Sequence, residues 1–279
     1  MSESNLKYFT TYNFAEKDFM HENEDAYKHT VTDDMIRFAL SDGAGGIGVF
    51  NGEWARFLVD NQPIANYIEE DWQQWLSATS EQFYEHIAPD QTIADSLVLQ
   101  KFYAVGSFAT LLYTWIDLTN NLILSQGIGD TCLFHLRKET MENYKLIKIF
   151  PINSYNSITD FPKLLNWNIQ HYNWSNTYQS TLQKGDVIIC CTDGMARFFI
   201  KMLLQGDNAV FDDHLLPCFL ESLRSEPEKI SGNSVHGLMR MIENFLSLEG
   251  EDEKIATLQT WIDQGMEIDD FTISRYIHD

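Results

Sequence analysis

A small set among the 41 Asp and Glu residues stands where an apolar run stops and a glycine or turn begins. Asp42 follows Met35-Ile-Arg-Phe-Ala-Leu and precedes Gly43-Ala44-Gly45-Gly46. Asp130 closes Leu122-Ile-Leu-Ser-Gln-Gly-Ile-Gly, and Asp193 lies between Val187-Ile-Ile-Cys-Cys-Thr and Gly194. Asp269 and Asp270 open the last apolar run, while Glu24 and Asp25 stand just before an early one. An Asp at the end of a buried strand is held by rigid backbone, and a glycine beside it lets other groups come close. Carboxylates converging at one sheet end repel one another unless a cation sits among them. All-oxygen donors favour Mg²⁺ or Mn²⁺ over zinc. Two such ions about 3.5–4 Å apart can share a water, lower its pKa and direct it at phosphorus.

The glycine loop has a second reading. Gly43-Ala-Gly45-Gly-Ile-Gly48 fits the G-x-G-x-x-G dinucleotide fingerprint, with a strand before it and a helix after. Asp42 would then add charge repulsion beside a pyrophosphate. The next convincing strand begins only at Phe108, too far for a βαβ unit of about 30 residues. No Gly-Lys-Ser/Thr follows the loop, which excludes a P-loop.

The elements that must hold these residues can be read from the apolar pattern. Strands are expected at Met35–Ser41, Phe108–Asp117, Asn121–Gly127, Cys132–Leu136, Tyr144–Phe150, Asp186–Thr192 and Phe271–Ile277. Turns fall at Asp117–Asn121 and at Gly129-Asp130. Helical periodicity covers Asn51–Leu76, Thr92–Tyr103, Met195–Leu204, Asp213–Leu223 and Val235–Leu248, with Trp72, Trp75, Phe245 and Leu246 as core positions. Glu249–Glu253 reads as a solvated loop. Strands clustered between helices suggest layers of α and β rather than alternating βαβ units.

Composition narrows the function. The 279 residues carry 19 Lys and Arg against the 41 acids, a formal charge of −22. Such an excess excludes a broad electrostatic interface with nucleic acid or an anionic membrane, because phosphates are repelled. Hydrophobic residues at 44% supply a substantial core. No secretory signal and no run of about 18 apolar residues is visible. The four cysteines form no CxxC motif and read as buried thiols, with Cys190 and Cys191 on opposite faces of a strand. The expectation is one cytoplasmic domain over residues 1–279, with no linker.

In this order the acidic sites resemble the motifs of the metal-dependent protein phosphatases, the type 2C-like Ser/Thr phosphatases. Asn23-Glu-Asp25-Ala26 resembles the family's N-E-D-A segment, and Ala39-Leu-Ser-Asp42-Gly-Ala-Gly-Gly46 its strand ending in D-G-x-G-G. Gly52-Glu53-x-Ala55 fits the helix that follows. Gly106-Ser107 with Ala109-Thr110 is similar to the G-S-T-A region, displaced by Phe108. Gly127-Ile-Gly-Asp130-Thr131, Thr192-Asp193-Gly194 and Asp269-Asp-Phe-Thr272 resemble the later turns. The matches span Asn23 to Thr272.

The resemblance implies an α+β fold, a four-layer α-β-β-α sandwich with two central antiparallel sheets flanked by helices. It implies two Mg²⁺ or Mn²⁺ ions, with room for a third. Carried over residue by residue, Asp42 bridges the two ions, Glu24 and the Gly43 carbonyl serve one, and Asp193 and Asp269 the other. Asp25 supports these ligands, Asp130 helps hold an additional weaker ion, and Asp270 matches a neighbouring Asn/Asp position. The implied activity is hydrolysis of phosphoserine or phosphothreonine in proteins by metal-activated water, opposed by an unnamed kinase. Two positions depart from the pattern. Met20 stands where the family often has a phosphate-binding Arg, and Ala44 where some members have a His; His21 is then the candidate proton donor. These losses point to the alternative, a catalytically weak pseudophosphatase that binds a partner. A variable flap at about residues 138–184, rich in Asn and aromatics, either docks a peptide or packs on itself.

Overall fold

A computed structural model describes residues 6–10, 23–44, 46, 48–62, 69–87, 96–140, 144–152, 162–169, 176–204, 210–211 and 235–279. Met20, His21, Cys218 and the helix expected at Asp213–Leu223 lie outside the described residues. The chain divides into two compact units. One draws on residues 22–131 and 163–180, the other on 1–21, 132–162 and 181–279.

The first unit is built on a five-stranded sheet in the order β10-β6-β5-β3-β2. Its strands are β2 (Asp25–Val31), β3 (Met35–Asp42), β5 (Leu111–Asp117), β6 (Leu122–Ile128) and β10 (Thr177–Thr181), the last ending at the edge of the unit. A short pair, β4 (Phe108–Ala109) with β9 (Leu165–Asn166), lies apart from it. The helices are α1 (Asn51–Asp60), α2 (Glu69–Ile87) and α3 (Ser96–Ala104). Alternation on β3 and β5 sends Ala39, Leu111, Tyr113 and Trp115 to one face, where they pack with Trp54 and Leu58 of α1, Trp72, Leu76 and Phe83 of α2 and Phe102 of α3. Each large side chain buried in this way contributes about 1.5–3 kcal/mol. The helix expected over Asn51–Leu76 is instead two helices, α1 closing at Asp60 and α2 opening at Glu69; the sequence between them holds a proline, a residue type that disfavours a continuous helix.

The second unit holds a six-stranded sheet, β1-β13-β11-β7-β8-β12. These are β1 (Leu6–Thr10), β7 (Cys132–Lys138), β8 (Tyr144–Phe150), β11 (Val187–Cys191), β12 (Val210–Phe211) and β13 (Thr272–Ile277). The pairs β1·β13, β13·β11, β11·β7 and β7·β8 are antiparallel; only the two-residue edge strand β12 runs parallel to its neighbour. Helices α4 (Asp193–Leu204), α5 (Val235–Ser247) and α6 (Glu251–Asp263) cover one face. On α5, Val235, Leu238, Met239, Ile242, Phe245 and Leu246 form an apolar stripe of helical period. Cys191 packs under these helices while Cys190 lies outside that cluster, as their adjacency predicts. The loop expected at Glu249–Glu253 is a correction: Glu251, Asp252 and Glu253 form the first turn of α6, where negative charge meets the positive end of the helix dipole.

Sheet orders of this kind, each carrying its own helices, are the α+β architecture expected from the sequence. Part of the flap lies among the described residues. Its described portion supplies β9, paired with β4, and β10, paired with β6; Leu165 and Asn166 are buried, and the Asn166 amide donates to the Val105 carbonyl at 2.8 Å.

Candidate functional site

The β2–β3 ladder brings the first acidic group together. Antiparallel pairing sets Asp25 directly opposite Asp42, and the Gly43 amide donates to the Glu24 carbonyl at 3.1 Å. Glu24, Asp25, Asp42 and Gly43 therefore share one end of the sheet. Asp25 is buried, with its amide bonded to Asn23 Oδ1 at 2.8 Å. Like charges on facing strand positions repel, so the ladder alone does not favour this pair.

Thr110, one residue before β5, ties Asp42 to Asp130. The Asp42 amide donates to Thr110 Oγ1 at 2.9 Å, and the Thr110 amide returns a bond to the Asp42 carbonyl at 2.8 Å. The same Oγ1 lies 2.5 Å from Thr131 Oγ1, next to the buried Asp130. Gly129 makes the turn possible: its φ is +92°, and a Cβ there would stand 2.6 Å from Thr110 Cγ2.

Asn51, the first residue of α1, fixes the glycine loop. Its Nδ2 donates to the Ala44 carbonyl at 2.6 Å, and its Oδ1 accepts from the Phe108 amide at 2.9 Å. The Ala44 amide bonds the Phe108 carbonyl, the Val49 amide the Gly106 carbonyl, and Ser107 Oγ the Val49 carbonyl. Gly43 is pressed so closely that a Cβ would lie 2.7 Å from the Asn51 backbone carbon. The dinucleotide reading fails on topology: both neighbours of β3, β2 and β5, are antiparallel to it, so no βαβ crossover exists here.

In the second unit β11 ends at Cys191, and Asp193 opens α4. Asp269 is close by, for a Cβ on Gly194 would lie 3.3 Å from Asp269 Cβ. Burial raises the Asp193 pKa; Arg197 opposes this and Asp269 adds to it. The Arg197 guanidinium meets Asp193 Oδ2 at 2.9 Å, and the Gly194 amide meets Oδ1 at 2.7 Å. Arg197 also pairs with Glu267. Asp270 is buried, and its amide bonds Asp269 Oδ1 at 2.9 Å.

Sequence reasoning missed Thr110 as an anchor, Asn51 and Arg197. Arg197 had a visible signal, an Asp-x-x-x-Arg spacing that begins two residues before the helix expected from Met195; the observed helix starts at Asp193, which places both side chains on one face. Asn51 had none, since its partners at Ala44 and Phe108 are set by tertiary structure.

The donors suit hard divalent cations, being carboxylates and a carbonyl, and the close approach at Gly43 keeps its carbonyl on a fixed backbone. Among the described residues no three Asp, Glu, His or Cys side chains already stand together at ion-holding range. No helix among them is long and apolar enough to cross a membrane.

Comparison with solved structures places this fold. A bacterial serine phosphatase is 13% identical, with a TM-score of 0.55 over 98% of this chain and 97% of that one. The serine/threonine phosphatase Stp1 from Staphylococcus aureus is 14% identical, with a TM-score of 0.53 over 98% and 94%. The catalytic domain of the serine/threonine protein phosphatase PstP, solved with two manganese ions, is 12% identical, with a TM-score of 0.51 over 98% and 99%. The fold is that of the type 2C-like bacterial phosphatases. No protein-family model matches the sequence, and no curated protein does.

Proposed function

We propose that this chain is a Mg²⁺- or Mn²⁺-dependent phosphatase acting on phosphoserine and phosphothreonine in cytoplasmic proteins. The observation that carries this reading is the placement of Asp42: it faces Asp25 across the ladder and is tied through Thr110 to the turn that holds Asp130. Glu24, Asp42 and the Gly43 carbonyl serve one ion and Asp193 with Asp269 the other, while Asp25 and Asp130 support the first group. When bound, such ions lower the pKa of water and neutralise phosphoryl oxygens. The chain's own residues hold those donors still. Thr110 fixes the Asp42 backbone from both its amide and its carbonyl, Asn51 locks the loop after Gly43, and Arg197 restrains the Asp193 carboxylate. His21 remains the candidate donor to the leaving group.

Hydrolysis of a phosphothreonine peptide with Mn²⁺, beside EDTA and an Asp42→Asn variant, tests the reading. Turnover that needs metal and falls by about 10³-fold in the variant is expected; metal-independent or absent turnover refutes it. The alternative, a partner-binding pseudophosphatase, is favoured by one feature: both Asp193 oxygens already have protein partners. Calorimetry separates the two, since fewer than one Mn²⁺ per chain at millimolar metal supports the alternative.

A further inference from the structure

One cation of the first unit stands against the acidic group. Arg56 lies on α1, one turn after Gly52, and its Nη1 donates to the Asn23 carbonyl at 3.1 Å. Asn23 also receives the Asp25 amide on its Oδ1, so the guanidinium is fastened to the short stretch that carries Glu24 and Asp25. Gly52 leaves the space in which they meet. A Cβ on Gly52 would stand 3.1 Å from Glu24 Cα and 3.4 Å from both Glu24 Cγ and Arg56 Nη1. A Cβ on Gly43 would in turn lie 2.8 Å from the Gly52 amide nitrogen. Glu24, Gly43 and the Arg56 guanidinium therefore meet at the first turn of α1.

Charge gives this position its meaning. Glu24, Asp25 and Asp42 bring three carboxylates to one end of the sheet, and a divalent ion offsets only two of their charges. A phosphomonoester carries a charge of about −1.5 to −2 at neutral pH. This end of the sheet repels it until a further positive charge is present, the more so on a chain of formal charge −22. Lys28 of β2 is drawn away to Asp60, the last residue of α1, at 2.8 Å. Arg56 is in place and reachable, its side chain 41% exposed. Its acidic neighbour Glu53 stands 3.9 Å off, too far for a hydrogen bond. Arg197, beside the other acidic pair, is 20% exposed and held by both Asp193 and Glu267. A guanidinium is a planar fork of donors, so one N–H can stay on the Asn23 carbonyl while others take new oxygens.

We propose that Arg56 is a substrate-binding residue, whose guanidinium takes the phosphoryl oxygens of the phosphomonoester at the Glu24–Asp42 end of the first sheet. The bond to the Asn23 carbonyl holds it there. Glu53 steadies the guanidinium until the more highly charged phosphate, which accepts two N–H bonds side by side, displaces it. Helix α1 then serves the site twice: Asn51 fixes the glycine loop, and Arg56 receives the ligand. This role rests on the phosphatase reading and adds to it a binding group that the acidic residues cannot supply.

Inorganic phosphate, the product of the reaction, is titrated against the full chain with Mg²⁺ in excess and followed by ³¹P NMR. Mn²⁺ affinity is measured separately, without phosphate. Arg56→Gln keeps a donor for the Asn23 carbonyl but loses the charge, and is expected to weaken phosphate about tenfold. It should bind Mn²⁺ as tightly as wild type or more tightly, because a nearby positive charge is gone. Arg56→Lys keeps the charge without the fork and should fall between the two. On a phosphothreonine peptide the Gln variant should raise KM about tenfold. A purely structural role predicts instead that phosphate and Mn²⁺ weaken together in both variants, and that result overturns the proposal. So does unchanged phosphate affinity in both, whatever the turnover, or a wild type that binds no phosphate at about 20 mM. Urea unfolding checks the fold; if the Gln variant fails it, a Lys variant that binds phosphate like wild type overturns the proposal. Absent turnover with phosphate binding that depends on Arg56 sinks the catalytic reading and upholds the anion site.

Discussion

Replacing Arg197 with Met separates the two partners competing for Asp193, an internal guanidinium and a divalent ion. The Arg197–Asp193 contact is 2.9 Å long, with the two side chains 20% and 13% exposed. At an effective dielectric near 20 and charge centres about 4 Å apart, the attraction is about 4 kcal/mol before desolvation is subtracted. Exposed pairs net about 0.2–1 kcal/mol, whereas removing one partner of a fully buried pair costs about 3–5 kcal/mol. A pair between these limits predicts a loss of about 2 kcal/mol for Arg197→Met, read by urea unfolding at pH 7 in EDTA. Met keeps the alkyl packing, so the loss reports on charge. If Asp193 takes up an ion, Mn²⁺ recovers part of that loss, because the variant's carboxylate no longer has to give up a guanidinium. Saturation at about 100 times Kd adds about 2.7 kcal/mol, and each tenfold gain in affinity adds about 1.4 kcal/mol more. The gap between wild type and variant should therefore shrink from about 2 to below about 1 kcal/mol with Mn²⁺. It should also narrow as pH falls. Burial already raises the Asp193 pKa and Arg197 opposes this, so the variant protonates earlier and the neutral acid needs no counter-charge. An unchanged gap with and without Mn²⁺ would refute ion binding at Asp193, and no loss in EDTA would refute the value assigned to the pair.

Two further predictions concern a buried ion pair of the second sheet and an anchor of the acidic group. Asp186 is fully buried and, against the upward push of burial, hydrogen bonds from His135, Arg137 and the Gln183 amide hold its pKa down to about 2. Because the folded value is below the unfolded one of about 3.9, its contribution of about 2 kcal/mol is complete above pH ~4 and is lost as pH falls toward 2. Acid unfolding should show this window in wild type and lose it in Asp186→Asn. Thr110→Val keeps the side-chain shape but strips the Asp42 amide of its acceptor, which should cost about 1–3 kcal/mol in denaturant unfolding. Thr110→Ser should restore most of it; equal stability of the Val variant would contradict the anchoring role.

Strand ends were the legible part of this molecule. Apolar runs stopping at Asp42, Asp130 and Asp193 gave both the elements and the acidic positions, since a buried strand and its polar terminus contrast sharply in sequence. Helix limits were harder to read. The break between α1 and α2 was hidden by apolar residues on both sides, and α6 escaped notice because only Leu258 and Trp261 of its thirteen residues are buried. Residues that position others left still less trace. Thr110 and Asn51 act through backbone groups distant in sequence, and no periodicity records such bonds. Arg197 left one trace, its spacing of four from Asp193, which the structure turns into a contact of 2.9 Å.

The thiols at the inner ends of β7 and β11 have a consequence for metal choice. Cys132 and Cys191 stand opposite each other in the ladder, two residues from Asp130 and Asp193 respectively, yet both are completely buried in the cluster beneath the helices. The sulfur most attractive to zinc or copper is thereby kept in the dry interior, while the neighbouring strand ends offer oxygen. The strands keep the soft donors inside the apolar cluster, and the turns beyond their ends carry the hard ones. A chain with cysteine beside its acidic residues can in this way favour abundant, weakly binding hard ions without presenting a thiolate to their stronger competitors.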